Sequence, residues 1–340
     1  MKRILVIGAC ILLTVCAVVG IKYYRWVYLS NTKQGITNLV LLPDGSCYAD
    51  VIRALREQEI LINRKAFEWV AGKMHFGDRS VKSGRYYISP GMSNYALIQK
   101  LRLGQQDAID LIINSAHTME DLAGLVGRQL EVDSLTFLQY LRNEYLPGSD
   151  YTEANILSLF IPNTYEVWWN VSARKLVERM EMEHLRFWNE ERRSAAASLS
   201  MTPVEVYTLA SIVESETQAQ DERPAIAGVY HNRLKKGMPL QADPTIRFAL
   251  KDMSIRRILH RHLEIESPYN TYLYPGLPPG PIAMPTIHSL DAVLKPAEHE
   301  FIFFCAKPGY EGRHLFAKSH ATHVENARQY QAWLNEQGIR

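Results

Sequence analysis

The distribution of apolar and polar positions divides the chain into three parts. Residues 4–21 form an apolar run interrupted only by Thr14 and glycines. Residues 37–108 carry short runs with strand and helix periods, and residues 109–340 carry helical spacing in the middle and strand-like runs near the C-terminus. The pattern predicts an α+β protein with an N-terminal helix, a small α+β subdomain, and a larger mixed α+β domain with a mainly helical middle and C-terminal strands.

The apolar run predicts a membrane anchor. As a helix, residues 4–21 would be about 27 Å long, close to the hydrocarbon thickness of a bilayer. Aromatic residues follow at once, as in an interfacial belt: Tyr23, Tyr24, Trp26 and Tyr28. We therefore predict a tip at 1–3, a transmembrane anchor at 4–21 and a linker at 22–36. A cleaved signal peptide is the alternative, although no A-x-A site follows the run.

The small subdomain at 37–108 alternates between strand and helix signals. Its predicted elements are strands at 37–42 and 84–88, a turn at 43–45, and helices at 48–58, 64–73 and 93–103. In the larger domain the predicted helices are 119–129, 134–143, 155–160 and 173–194. The apolar run 301–306 and the segment 314–317 are predicted to pair as strands across a turn at 307–309.

One further helix carries the candidate chemistry. Thr202 and Glu205 have the spacing of a capping box at its start. Glu216 continues the row of apolar residues that faces the core, whereas Glu214, two residues earlier, points to another face. A carboxyl group among apolar neighbours has a raised pKa, as a general acid working near neutral pH requires. A structural carboxylate paired with an arginine is the alternative interpretation of Glu216.

Short polar motifs follow this helix in a fixed order. They occupy 231–234 (His-Asn-Arg-Leu), 240–245 (Leu-Gln-Ala-Asp-Pro-Thr), 269–272 (Tyr-Asn-Thr-Tyr) and 276–282 (Gly-Leu-Pro-Pro-Gly-Pro-Ile). Polar groups set among proline and glycine indicate rigid loops around a cleft. With the helix segment 210–217, these motifs resemble in order and spacing the endolytic murein transglycosylases, the YceG-like family. The resemblance covers nearly the whole chain.

The resemblance implies a lytic transglycosylase that cleaves the β-1,4 bond between N-acetylmuramic acid and N-acetylglucosamine within nascent glycan strands, thereby terminating their elongation. Glu216 would protonate the leaving glycosidic oxygen, and its carboxylate would then take the proton of the muramoyl C6 hydroxyl as that oxygen attacks C1. The product would be a 1,6-anhydromuramoyl end. The residues implied to bind substrate are Gln241, Asp243, Tyr269, Asn270, Tyr272 and Asn163. For Arg233, a structural ion pair is at least as well favoured as a substrate contact.

The chain departs from the family pattern at two loops. Asn163 stands where relatives commonly have aspartate, which puts a charge-dependent role there in doubt, although an amide can still bond sugar hydroxyls. Residues 284–288 replace a common Asn-Pro-Gly. The subdomain at 37–108 resembles the family's LysM-like module, which implies binding of N-acetylglucosamine polymers. A packing domain without glycan contact is the alternative.

Composition and the absence of certain motifs argue against several other classes of function. The net charge of +2 gives no overall field for nucleic acid. No Walker loop, G-x-G-x-x-G, G-x-S-x-G or H-E-x-x-H motif occurs. The four cysteines show no disulfide framework. His314, His320 and His323 are too loosely spaced for zinc and lack a completing ligand, so we predict no metal and no cofactor.

The resemblance also implies a location and partners. It places the protein in the cytoplasmic membrane as a single-pass protein, with a short cytoplasmic tip and its body on the outer side. Glycan strands of peptidoglycan are the expected partner, and peptidoglycan synthases (penicillin-binding proteins) are further candidates.

Two other functions remain open at this point. A hydrolytic muramidase would need a second carboxylate in the cleft as base, either Asp243 or Glu214. A non-catalytic scaffold that binds the cell wall would need Glu216 only as a structural residue.

Overall fold

A computed structural model describes residues 2–33, 38–255, 257–309 and 312–338 of the chain. The chain forms two compact units. The first comprises Met1–Leu111 and Glu166–Val171, and the second comprises Ile112–Tyr165 and Ser172–Arg340. The α+β class is confirmed: the helices greatly outweigh a few short strands.

The N-terminal helix is longer than the predicted anchor. Helix α1 runs from Lys2 to Tyr28, so the first residues of the predicted linker, 22–28, continue the helix. The reason is packing: Val27 is only 5% exposed in the core of the first unit, and the Trp26 ring lies 5.5 Å from that of Trp69. Burying a valine side chain contributes about 1.5 kcal/mol or more.

Helix α1 is also long and apolar enough to cross a membrane. The stretch that meets this criterion is Val6–Tyr28. A membrane anchor and a cleaved signal sequence share this length and composition.

The rest of the first unit follows the predicted pattern closely. Its elements are β1 (Asn38–Leu42), α2 (Tyr48–Glu57), α3 (Arg64–Lys73), β2 (Gly84–Ile88) and α4 (Asn94–Leu103). β1 and β2 pair antiparallel, with Val40 opposite Tyr86. Ser93 caps α4 by accepting from the Ala96 N–H, and Gly104 ends it in the left-handed conformation. Thr37, predicted to start β1, lies outside the described residues.

Strands β3 (Ile109–Ile113) and β4 (Asn163–Val167) contain the boundaries between the two units. The second unit then holds α5 (Met119–Gln129), α6 (Ser134–Tyr140), α7 (Ala173–Phe187) and α8 (Glu190–Ser198). A π-helical turn, Leu141–Tyr145, follows α6, and residues 156–159 form a 3₁₀ turn instead of a longer helix.

The single helix predicted at 173–194 was wrong. The chain breaks between α7 and α8, where the Trp188 side chain is buried and the Asn189 side chain accepts from the Arg192 N–H. Asparagine is a preferred N-cap because its oxygen satisfies a free amide of the first turn. The chain therefore starts a new helix at the Asn189 cap, although the helical spacing of apolar residues continues through it.

Helix α9 (Pro203–Glu216) lies at the centre of the second unit. The predicted capping box is confirmed: Thr202 accepts from the Glu205 N–H, and Glu205 accepts from Thr202. Residues 206–213 of α9 are all buried. Helices α10 (Arg223–Lys235), α11 (Asp243–Ala249) and α12 (Ile287–Leu294) pack around it. This surrounds α9 on several sides and leaves its C-terminal end to carry the site.

The C-terminal segment forms a hairpin and a helix. β5 (Phe303–Ala306) pairs antiparallel with β6 (His314–Ala317), with Phe304 opposite Phe316. The predicted pairing is confirmed, although β5 begins two residues later than expected. Helix α13 (His320–Glu336), which the sequence analysis did not predict, packs against both strands.

Candidate active site

The C-terminal turn of α9 carries Glu216 into a cleft of the second unit. The Tyr230 hydroxyl, on the neighbouring helix α10, donates to Glu216 Oε1 at 2.6 Å. Burial raises the pKa of Glu216 to about 7, opposed by the Tyr230 hydrogen bond and assisted by the nearby Asp243 carboxylate. A carboxyl group with such a pKa can give up a proton and take it back near neutral pH.

Glu216 opens onto a cavity of about 440 Å³. Its wall is formed by two of the predicted binding loops, by helix α10, and by the C-terminal hairpin and helix. The lining residues are Glu216, Arg233, Leu240, Gln241, Asp243, Tyr272, Phe303, Phe304, Cys305, Ala306, His314, His320 and His323. The cavity therefore brings together Glu216 and three of the residues predicted to bind substrate.

Asp243 and Tyr272 form a hydrogen-bonded pair in this wall. The Tyr272 hydroxyl donates to Asp243 Oδ1 at 2.5 Å. Burial, and then the hydrogen bond to Asp243, raise the pKa of Tyr272, so this hydroxyl stays protonated and remains a donor. The pair fixes one carboxylate oxygen of Asp243.

Gln241 has an unusual backbone in the same loop. Its φ angle is 52°, in the left-handed region that costs a non-glycine residue about 1 kcal/mol or more. The Gln241 N–H bonds the Thr271 carbonyl at 2.9 Å, and the Ala242 N–H bonds the Thr271 hydroxyl at 3.0 Å. These bonds hold the Gln241 and Tyr272 segments side by side at the cavity.

Arg233 supplies a buried cation beside the cavity. Its guanidinium donates to the carbonyls of Ile302 at 2.6 Å and Leu240 at 2.7 Å, and lies 5.4 Å from the Phe303 ring. Burial lowers its pKa. Arg233 thus links the residue before β5 to the Leu240 loop through hydrogen bonds to carbonyl groups. The ion pair, which was one of the two expectations, is not the interaction observed.

Glu214 lies on the other face of α9, as predicted. It accepts from Arg223 at 2.9 Å, from the Ser289 hydroxyl at 2.6 Å and from the Thr286 hydroxyl at 2.7 Å. Burial alone would raise the pKa of Glu214, but these hydrogen bonds and Arg223 lower it below its usual value. Glu214 does not line the cavity, so the geometry removes it as the base of a hydrolytic reaction there.

The other predicted binding residues lie apart from the cavity lining. Asn270 is fully buried, and its amide bonds the Leu263 and Ile265 carbonyls and the Tyr272 N–H inside its own loop. The Tyr269 ring packs on Phe248 at 4.6 Å. In the structure both residues shape the loop that carries Tyr272, and their contact with sugar stays a prediction.

Asn163 stands at the start of β4 with an exposed side chain. Its oxygen accepts from the Thr164 N–H at 2.8 Å, and it does not line the cavity. The structure therefore does not bring Asn163 together with Glu216.

The sequence analysis did not identify Tyr230, which lies beside the cavity and bonds Glu216. Tyr230 and Arg233 are three residues apart on α10 and share a helix face, a signal that could have linked Tyr230 to the site. His314 bonds Glu222 at 3.0 Å, and the His323 ring stacks on Phe303 at 5.1 Å. Within the described ranges, no three His, Cys, Asp or Glu side chains converge in a group that could hold a metal ion.

Comparison with known proteins places this site in context. Residues 40–329 match the family model of the YceG-like family. The chain is 28% identical to the endolytic murein transglycosylase of Bacillus subtilis (strain 168) over 87% of this chain and 85% of that protein. It is 26% identical to a protein of the same name from Streptococcus pneumoniae serotype 2, over 88% of this chain and 59% of the longer pneumococcal protein.

A solved structure is also similar. The crystal structure of a putative YceG-like protein from Listeria monocytogenes superposes with a TM-score of 0.57 and 25% identity, covering 85% of this chain and 98% of that one. The family model alone spans most of the residues, including every one that lines the Glu216 cavity. The chain belongs to the YceG-like family.

Proposed function

We propose that this protein is a membrane-anchored endolytic lytic transglycosylase of peptidoglycan. The observation that carries the proposal is Glu216, a carboxyl group with a pKa raised to about 7 that opens onto a cleft large enough for sugar rings. The relatives named endolytic murein transglycosylases support the substrate class.

Glu216 acts first as acid and then as base. Its proton passes to the glycosidic oxygen between N-acetylmuramic acid and N-acetylglucosamine, and the bond from that oxygen to C1 breaks. The C6 hydroxyl oxygen of the same muramoyl residue then bonds to C1, and its proton returns to the Glu216 carboxylate. No water is consumed, and the product carries a 1,6-anhydromuramoyl end. Each proton transfer contributes about 10²–10⁴-fold.

Neighbouring residues hold the acid and the substrate. Tyr230 fixes one oxygen of Glu216, so the second oxygen is left to face the scissile bond. Asp243, Gln241 and Tyr272 present a carboxylate, an amide and a phenol for sugar hydroxyls and acetamido groups. Tyr269 and Asn270 act through the loop that positions Tyr272, and Asn163 remains a predicted sugar contact outside the cavity.

A hydrolytic muramidase is the second candidate, because Asp243 shares the cavity with Glu216 and could activate a water molecule. Two features favour the transglycosylase. Tyr272 already occupies one Asp243 oxygen, and the other acid of α9, Glu214, is committed to Arg223 on the far face. Intramolecular attack by the C6 hydroxyl needs only Glu216 and no second carboxylate.

The anchoring part of the proposal rests on α1. The helix continues without a break from the apolar run into the core of the first unit, which favours a retained anchor over a cleaved signal peptide. Because peptidoglycan lies outside the cytoplasmic membrane, the body belongs on the outer side. Synthases that elongate the same strands are the candidate protein partners.

Mass spectrometry of digested glycan strands tests the proposal. The full chain should release fragments with 1,6-anhydromuramoyl ends. Reducing muramoyl ends would instead establish the muramidase, and uncleaved strands that remain bound to the protein would establish the scaffold.

A further inference from the structure

A second cavity, of about 540 Å³, lies beside α1 in the first unit. Val18, Ile21, Lys22, Arg25 and Leu29 of α1 line it. Their spacing of three or four residues puts them on one helix face. Along this face the wall changes from the apolar Val18 and Ile21 to the cations Lys22 and Arg25, which lie in the last two turns of the candidate span.

The opposite wall is built on the starts of two helices. Asn63 caps α3, and Asn94 is the first residue of α4. The buried Asn31 joins them: its Nδ2 donates to Asn94 Oδ1 at 2.6 Å, and its Oδ1 accepts from the Asn63 N–H at 2.7 Å. The wall is therefore fixed by hydrogen bonds, and the helix N-termini add partial positive charge to the cations.

The cavity has no acidic residue in its lining to balance this charge. Lys22 and Arg25 are both exposed, and the Lys22 ammonium lies 4.6 Å from the Trp26 ring. Neither cation forms a salt bridge with any carboxylate in the described part of the chain. Cations without a carboxylate partner at a membrane surface attract the anionic groups of lipids.

We propose that this cavity binds the phosphate group of an anionic membrane lipid. Lys22 and Arg25 hold the phosphate, and an acyl chain lies along Val18 and Ile21. A sugar fits the cavity less well, because the Asn31 and Asn94 amides are already used within the wall and no carboxylate is available to bind hydroxyls. The inference rests on the proposed anchoring, which brings the lipid phosphates to the level of the two cations.

Lipid titration of the detergent-solubilised full chain, read by native mass spectrometry, tests the site. The probes are phosphatidylglycerol, zwitterionic phosphatidylcholine and a polyprenyl diphosphate. Comparing the first with the third shows whether the phosphate belongs to a bulk phospholipid or to a lipid-linked carrier. We expect phosphatidylglycerol or the diphosphate to bind at least about tenfold more tightly than phosphatidylcholine.

The matched variants remove equal charge from the same unit. Lys22→Gln/Arg25→Gln should weaken binding of the anionic lipid by about tenfold or more. Arg56→Gln/Arg79→Gln, which removes two exposed arginines away from the cavity, should leave it unchanged. Equal losses in the two variants, or equal binding of phosphatidylglycerol, the diphosphate and phosphatidylcholine, would overturn the site.

Vesicle flotation and glycan digestion of the same preparation separate this inference from the proposed function. A chain that floats and releases anhydro ends but shows no preference for anionic lipid refutes the lipid site alone. A chain that does not float refutes the anchoring, and the lipid site with it. A chain that floats and prefers anionic lipid but leaves glycan intact supports the lipid site and refutes the enzyme.

Discussion

The two faces at the end of α9 carry carboxylates only two residues apart, in opposite surroundings. Glu214 is tied to Arg223 and two hydroxyls, and its pKa is lowered. Glu216 has one tyrosine partner in a buried cleft, and its pKa is raised to about 7. The helix period places them against different neighbours. Those neighbours hold Glu214 in a structural network and give Glu216 the raised pKa on which its proposed catalytic role rests.

The comparison shows why a carboxylate must be judged by its partners. Glu214 is surrounded by donors that stabilise the charged form, so it stays ionised at neutral pH. For Glu216, burial has the largest effect on the pKa. The Tyr230 hydroxyl, Arg247 and Arg233 offset it only in part, and Asp243 adds a repulsive charge. Substitution of Glu216 should therefore reduce activity, whereas substitution of Glu214 should reduce folding stability.

The largest effect is expected for Glu216→Gln on activity. The amide keeps the shape of the side chain but can neither donate the proton nor take it back, so release of anhydro ends should fall by about 10³-fold or more. The measurement is liquid chromatography with mass spectrometry of digested strands. Glu214→Gln, assayed where it is folded, should keep most of the activity. Near-wild-type cleavage by Glu216→Gln would remove this residue from the mechanism.

The next effect is the stability loss of Glu214→Gln. It leaves Arg223, whose side chain is 4% exposed, without its carboxylate, which should cost about 2–4 kcal/mol. Urea unfolding of the full chain in detergent measures this loss. Glu178→Gln, which breaks the exposed pair with Arg174, is the control and should cost about 0.5 kcal/mol or less. Equal costs would show that the Glu214 network is not a structural anchor.

A third effect links Glu216 to stability and pH. The folded state keeps the Glu216 proton up to about pH 7, whereas the unfolded chain loses it above its ordinary pKa. The contribution of Glu216 to folding stability therefore falls as pH rises between those values. Glu216→Gln should match the wild type near pH 4 and exceed it by about 1–3 kcal/mol at pH 8. A difference that stays constant with pH would contradict the raised pKa.

The smallest effect is expected for Tyr230→Phe. Losing the hydrogen bond to the carboxylate raises the pKa of Glu216 further, so the fall in rate at high pH should move upward, by less than about one unit. The test is a pH–rate profile of anhydro-end release. Tyr207→Phe removes a buried hydroxyl bonded to the Phe160 carbonyl and should leave the profile in place. A shift to lower pH would reverse the assigned role of Tyr230.

Elements with clear end signals were predictable from the sequence. Ser93 and Gly104 bracket α4, and Thr202 starts α9, because caps satisfy backbone groups locally. The break at Asn189 was missed, although asparagine is itself a cap, because the helical spacing on either side was read as continuous. The end of α1 was missed for a different reason: whether Val27 faces lipid or core depends on tertiary packing.

The site was predictable only where the chain itself places residues together. The position of Glu216 followed from its row on α9, whereas Gln241, Asp243 and Tyr272 were implied by the resemblance of their motifs to the family. Two hydrogen bonds to Thr271 hold the segments of those motifs side by side. His323 comes from the far end of the chain, and Asn270 proved to be internal to its loop. No local pattern reports such placements, because they arise when distant elements pack.

The continuity of α1 into the core of the first unit has a mechanical consequence. Val27 is buried in the first unit and the Trp26 ring packs against Trp69, so the end of the helix is fixed to this unit and is not a flexible linker. In the anchored protein the first unit would then have a fixed height and heading above the bilayer. Inserting a single alanine after Gly20 would turn that unit by about 100° and lift it by about 1.5 Å. The number of residues in α1 therefore sets the height and the orientation of the first unit relative to the bilayer.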